Sequence, residues 1–198
     1  MGVEDGSEAL MLGAPMAQRQ AKARELLKQS GYDGKPIVCL HATNIYVMNQ
    51  TMLVVAQQLR QVGFNVELAS TDWGAVVTRR ANQNPPDQGG WNVFYTWSGG
   101  NAASSPISLF AHAATGRKAW FGWPENAAIE QMRNEWAAAA TLEARRAVAS
   151  RLNRTMIEYV HDIKTGQWVS PVAYRGDRLR NFVQVPEVIP WWNVERYA

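Results

Sequence analysis

The feature that most constrains the fold of this chain is the alternation of short apolar runs with segments of helical periodicity. Residues 37–41 and 64–68 are strand-like runs, and each follows a segment in which apolar residues recur every three or four positions. A third β-prone run, 91–97, follows a polar, proline-containing loop. Because parallel strands need long crossovers and usually use helices for them, this order predicts a mainly parallel sheet with helices on both faces.

Helix boundary signals extend this α/β prediction. The spacing predicts a first helix over 17–30, and a second that Thr43 and Asn44 are placed to cap and that ends at Gly63. Asp72 is expected to cap a third helix over 73–82. We also expect Trp91 and Trp97 to share one face of the third strand, with Trp91 in the core.

The second half of the chain predicts a helical hairpin and then an extended, proline-rich tail. The second helix of the hairpin is expected to begin after Thr141, which can cap it. The apolar stripes of the two helices consist of Ile129, Met132 and Trp136, and of Ala144, Val148, Leu152, Met156 and Tyr159. We therefore predict a linker or frayed tail over 1–16, an α/β lobe over 17–165 and an extended tail over 166–198.

Composition and motifs argue against several functional classes. The net charge is only +3, with 20 Lys and Arg scattered among 17 Asp and Glu, so no nucleic-acid partner is expected. The histidines His41, His112 and His161 lie in no metal-ligand spacing and are expected near the ends of segments, the last two exposed. One cysteine, Cys39, excludes an intrachain disulfide. No nucleophile elbow, P-loop or dinucleotide motif is present, so we expect neither catalysis nor a cofactor.

Binding has more support than catalysis in this sequence. In parallel sheets, ligands lie beyond the carboxyl ends of the strands. Those ends are expected near 43–44, 71–73 and 97–101, and at the last of them Trp97 is followed by small residues that leave backbone groups open. The predicted ligand-binding residues are Thr43, Asn44, Asp72, Trp73, Trp97, Ser98, Gly99, Gly100 and Asn101.

Five segments together resemble the family 5 extracellular solute-binding proteins, the dipeptide, oligopeptide and nickel-type receptors of bacterial ABC importers. They are AKARELLKQSGYDGKPIV (21–38), QQLRQVGFNVELASTDWGAVVTRRAN (57–82), GGWNVFYTWSGG (89–100), AWFGWPENAAIEQMRNEW (119–136) and GQWVSPVAYR (166–175). The resemblance implies the C-terminal lobe of a type II periplasmic-binding fold, with a tail that crosses back toward a missing N-terminal lobe.

The resemblance also implies a departure at the site. Peptide-binding members hold the α-ammonium of the peptide with an aspartate, and that position falls on Gly100 here. A buried ammonium without a carboxylate is costly, so Asp72 is the nearest candidate to replace it. Backbone groups at Trp97, Ser98 and Gly99 carry over. Peptides, oligosaccharides that stack on tryptophan, and metal complexes all stay open as solutes.

The function expected from the resemblance is solute capture. One lobe of a periplasmic or lipid-anchored receptor would close on a small peptide or similar solute and present it to an ABC permease. The start of this chain lacks the basic and apolar regions of a signal peptide, so none is expected in it. The alternative is a stand-alone truncated relative that acts as a cytoplasmic interaction or sensor module.

Overall fold

The computed structural model describes residues 13–183 and 190–197, and the chain divides into two compact units. Among the described residues, the first unit covers 13–97 and the second covers 98–183 and 190–197. Most of the tail predicted over 1–16 lies outside the described residues, although Met16 already belongs to the first helix. Among the described residues, no helix has both the length and the apolar character needed to cross a bilayer.

The first unit is built on a three-stranded parallel sheet, as the alternation predicts. The strands are β1 (Ile37–Ala42), β2 (Val66–Thr71) and β3 (Val93–Phe94), in the spatial order β2-β1-β3. β1 pairs with β2 along its whole length, whereas β3 pairs only with Cys39 and Leu40 of β1. Every residue of the central strand after Ile37 is buried, which agrees with an apolar strand covered on both faces.

Helices α1 (Met16–Gln29), α2 (Tyr46–Val62) and α3 (Trp73–Arg79) complete the first unit. Met48, Met52 and Ala56 form the buried stripe of α2. The helix ends at Gly63, whose left-handed φ of 114° lets its N–H and that of Phe64 bond to the last turn. Phe64 therefore completes a helix cap, and β2 begins two residues later than the predicted strand.

The third strand is much shorter than the predicted run of 91–97. Asn92 donates its backbone N–H to the carbonyl of Val38, and its side-chain Oδ1 accepts the N–H of Val38 at 2.8 Å. A side chain thus replaces the backbone acceptor, and the regular ladder begins only at Val93. The turn before it is tight, because a Cβ on Gly90 would lie 1.8 Å from the carbonyl oxygen of Asn84. Arg79 fastens this turn through bonds to the carbonyls of Gly89 and Gly90.

A buried histidine links β1, β2 and α2. His41 is enclosed, with Nε2 2.8 Å from Asn49 Oδ1 and Nδ1 2.8 Å from the hydroxyl of Ser70. An amide oxygen only accepts hydrogen bonds, so Nε2 donates to Asn49, whereas the Ser70 hydroxyl beside Nδ1 can donate or accept. Both ring nitrogens are therefore satisfied, and His41 is a structural strand-end residue, as predicted.

The second unit contains the predicted helical hairpin. Its helices are α4 (Ala127–Ala138) and α5 (Leu142–Tyr159), and Ile129, Met132, Val148 and Leu152 form the core with Ala114. Thr141 caps α5 by accepting the N–H of Ala144, as predicted, and Asn126 caps α4 in the same manner.

The described part of the C-terminal tail, which we predict to be extended, contains one short antiparallel ladder. β4 (Leu179–Arg180) and β5 (Glu195–Arg196) pair antiparallel, and Arg180 forms an ion pair with Glu195. The ring of Phe182 stacks on Tyr174 at 4.4 Å. The ladder joins residues 179–180 to residues 195–196, and the ring stack joins Tyr174 to Phe182.

Candidate functional site

The carboxyl ends of β1 and β2 meet at one edge of the sheet, as the parallel topology predicts. The hydroxyl of Thr43 donates to the carbonyl of Thr71 at 3.0 Å, and the backbone N–H of Thr43 bonds to the same carbonyl. The side chain of Asn44 accepts the backbone N–H of Trp73 at 2.8 Å. The two strand-to-helix turns are therefore joined directly, and they present Thr43, Asn44 and Asp72 as exposed residues.

The predicted capping role of Thr43 and Asn44 is wrong. Ile45 occupies the N-cap position of α2, and no side chain caps this helix. Because the oxygen of Asn44 is bonded to the amide of Trp73, it does not bond to the first amides of α2. The side chain links two turns instead of ending one helix, and sequence spacing alone does not distinguish these roles.

Asp72 caps α3, as predicted. Its Oδ1 accepts the N–H of Ala75 at 3.1 Å, and the residue is exposed. Within the described part of the chain, no hydrogen bond to its second oxygen is present. The carboxylate can therefore stabilise the helix and still accept a hydrogen bond from a cationic group of a ligand.

Trp73 is held in place by a cation. The Arg80 guanidinium lies 5.4 Å from the centre of the Trp73 ring and 5.8 Å from that of Phe94. Burial lowers the pKa of this guanidinium, which still stays charged at neutral pH. The indole N–H of Trp91 donates to the backbone carbonyl of Arg80. These contacts fix the aromatic wall next to Asp72.

Trp91 and Trp97 do not share the face that a continuous strand would give them. Trp91 packs against the core at 5.3 Å from Phe94, which confirms the core prediction. Trp97 follows β3 by three residues, lies outside the regular ladder and is 53% exposed. An exposed indole beyond the carboxyl end of a strand can contact a ligand.

Ser98, Gly99, Gly100 and Asn101 open the second unit. The carbonyl of Gly99 accepts the N–H of Ala103, and that of Asn101 accepts the N–H and hydroxyl of Ser104. A Cβ on Gly100 would have no neighbour within 4 Å. This open backbone agrees with close approach by a ligand, and the role of these four residues stays a prediction.

The sequence prediction omits Tyr46. It is the first residue of α2, three positions after Thr43, and its side chain is 78% exposed. A large aromatic residue in a turn that follows a parallel strand is a recognisable signal. Tyr46 is not among the predicted site residues because the predicted caps at Thr43 and Asn44 place it inside the helix, where an exposed aromatic residue is not a signal of binding.

The expectation for His112 and His161 is wrong. Both are partly buried, and their ring centroids lie 6.4 Å apart. Burial and the nearby Lys164 ammonium lower the pKa of His112 to about 4. Across residues 13–183 and 190–197, no cluster of three or more His, Cys, Asp or Glu side chains could hold a metal ion. The fold brings the two residues together, although 49 positions of sequence separate them.

The model of the bacterial extracellular solute-binding proteins, family 5 Middle, matches residues 8–120. The chain belongs to this family. A probable peptide ABC transporter periplasmic-binding protein of Sinorhizobium fredii is 36% identical over 176 residues, which is 88% of this chain and 33% of that protein. The chain thus spans about a third of the length of this curated relative.

Solved structures agree on the fold. The Escherichia coli murein tripeptide binding protein MppA aligns with a TM-score of 0.60 at 18% identity, over 75% of this chain and 28% of that one. The oligopeptide-binding protein AppA of Bacillus subtilis, solved with a nonapeptide, aligns with a TM-score of 0.54 at 17% identity, over 71% and 30%. The chain therefore has the α/β architecture of a type II periplasmic-binding protein.

Proposed function

We propose that this chain is one lobe of a receptor that captures a small peptide or peptide-like solute for an ABC importer. Membership of the family supports solute capture, and the peptide-binding name of the Sinorhizobium fredii relative supports the solute class. The observation that carries the proposal is the hydrogen bond from the Trp73 amide to Asn44, which joins two strand-end turns into one polar edge. Ligands of parallel sheets bind at that edge.

The proposed ligand contacts divide into polar and aromatic groups. Thr43, Asn44 and Asp72 offer hydroxyl, amide and carboxylate groups, whereas Trp73 and Trp97 offer rings. Residues 98–101, in the second unit, are proposed separately as ligand contacts through their open backbone. A few placed polar groups beside aromatic surface are typical of small-ligand sites.

Capture would act by closure, with a second lobe supplying the other wall. The solute would favour the closed state by binding it more tightly, and a permease would recognise that state. In the full receptor, this activity would take place outside the cytoplasmic membrane. Because this chain covers a third of its relative, it would hold only part of the contacts.

The proposal is tested by titrating the ¹⁵N-labelled 198-residue chain with trialanine and following amide and indole signals by NMR. We expect weak binding, with a Kd of roughly 1 mM or above, because half of the contacts are missing. Shifts should concentrate at 43–44, 72–73 and 97–101. Trp97→Ala should weaken binding, whereas the matched control Trp192→Ala, which changes a ring 87% exposed elsewhere, should not.

Two outcomes would contradict the proposal. One is a Kd below the micromolar range, which a lobe with half of the contacts should not reach. The other is an absence of shifts at the named positions up to tens of millimolar peptide. Sequencing of the coding DNA upstream tests the receptor itself, since an in-frame stop codon close to Met1 would favour the alternative of a stand-alone module.

The role of Asp72 has its own test. N-acetyl trialanine lacks the ammonium, so it should bind less well than trialanine if Asp72 holds that group. Asp72→Asn keeps a helix-capping side chain and removes the charge. The variant should bind both peptides equally, and a preserved preference for the free amine would assign the ammonium to another group.

A further inference from the structure

We propose that the contact between His112 and His161 is an acid-sensitive latch that fastens the loop around Leu109 and Ala114 to the end of α5. The two rings come from segments far apart in sequence and meet at 6.4 Å. His161 lies just after the end of α5, and its backbone N–H bonds to the carbonyl of Met156. The latch is independent of the solute site proposed above.

The loop is anchored on both sides of His112. The Arg133 guanidinium donates to the carbonyl of Pro106 at 3.1 Å, and the Glu130 carboxylate accepts the N–H of Ala114 at 2.7 Å. These two side chains also form an ion pair with each other. Leu109 and Ala114 are buried between the anchors, so the loop opens only if its packing is lost.

The surroundings of the histidine pair disfavour a positive charge. Both ring nitrogens of His161 are buried, and neither has a hydrogen-bond partner of good geometry in the described part of the chain. A charged imidazole needs two acceptors, because both of its nitrogens donate. Protonation would therefore bury an unsatisfied donor and a charge at once.

Neighbouring charges add to this effect. Two cations, Lys164 and Arg133, disfavour protonation of both histidines, and His161 also lowers the pKa of His112. The Asp162 carboxylate favours protonation of both histidines, and the backbone of Ala113 favours protonation of His161.

The neighbouring Tyr159 is engaged elsewhere. Its ring lies 6.5 Å from that of His161, and its hydroxyl bonds to the backbone of Glu125. Burial lowers the pKa of His161 as well as that of His112, so burial and cations together outweigh Asp162.

The direction of the pH effect follows from linkage. A histidine in the open loop titrates near 6.5, whereas His112 in the closed loop titrates near 4. Acid therefore favours the open loop between these values, and full closure returns above pH 6.5. From pH 7.5 to 5.0, the His112 shift from 6.5 to about 4 raises the opening equilibrium by roughly 30-fold.

The latch is tested on the 198-residue chain by hydrogen–deuterium exchange at pH 7.5 and 5.0, corrected for chemical exchange. Amides of residues 109–114 should lose roughly 30-fold in protection at pH 5.0, whereas those of α2 should not change. The double variant His112→Phe, His161→Phe keeps two aromatic rings that cannot titrate, so its loop should not respond to pH. Equal protection of the wild-type loop at both pH values, or an undiminished response in the variant, would overturn the proposal.

NMR of the wild-type imidazoles keeps the test decisive if the double variant does not fold. The chain has only three histidines, so single variants assign their signals. Midpoints well below 6.5 for His112 and His161 are expected. Titration midpoints at or above 6.5 for both residues would show that burial does not disfavour their protonation, which would overturn the proposal.

Discussion

At the scale of single residues, Asp72 combines a structural and a proposed binding role, and two substitutions separate them. Asp72→Ala removes the cap on the Ala75 amide and should cost about 1 kcal/mol of unfolding free energy. Asp72→Asn should cost only a few tenths, since asparagine caps helices as well as aspartate does. Urea unfolding followed by tryptophan fluorescence measures both. An equal loss in the two variants would mean that the charge, not the cap, stabilises α3.

Substitution by alanine should lower stability at Gly90 but not at Gly100. A Cβ at Gly90 would lie 1.8 Å from a backbone oxygen that cannot move aside, so Gly90→Ala should cost at least about 2 kcal/mol. Gly100→Ala meets nothing within 4 Å and should be near neutral. Thermal unfolding of the two variants gives the comparison. A stable Gly90→Ala protein would contradict the tight turn between Asn84 and Gly90.

At the scale of elements, the helical hairpin should depend on α5 through one buried leucine. Leu152 is 2% exposed and lies in the hairpin core, so Leu152→Ala should cost about 2–5 kcal/mol. Leu142, at the start of the same helix, is 61% exposed, and Leu142→Ala should change stability by less than about 0.5 kcal/mol. Denaturant unfolding followed by circular dichroism tests the pair. Similar losses would place the hairpin core elsewhere on α5.

The elements also show how far the sequence predicts the structure. Apolar runs and helical periodicity predict β1, α2 and the hairpin, because burial on one face leaves a visible pattern. The third strand begins later than predicted because the Asn92 side chain, which bonds to β1 from 54 positions away, takes the place of a backbone acceptor. The paired histidines were missed for the same reason, since their contact depends on tertiary packing and not on local spacing. Thr43, Asn44, Asp72 and Trp73 lie at the ends of β1 and β2 because the strands are parallel, and the order of helices and strands in the sequence is enough to predict that.

At the scale of the whole molecule, exposed aromatic side chains should make the chain self-associate. Trp191 and Trp192 are 64% and 87% exposed, and such surface favours association. Sedimentation velocity should therefore show a sedimentation coefficient that rises with protein concentration. Replacing both tryptophans with serine should reduce that rise. A sedimentation coefficient that stays at the monomer value at all protein concentrations would show that these rings do not cause association.

The enclosed histidine of the first unit has a consequence for how this family diverges. His41 is the one enclosed member of this group, and its two ring nitrogens bond to Asn49 and to Ser70. Losing Asn49 or Ser70 leaves a buried ring nitrogen without its partner, whereas replacing His41 by an apolar residue removes the need for both. Among descendants of a common ancestor, exchanges at Asn49 or Ser70 should therefore be rare wherever His41 is kept.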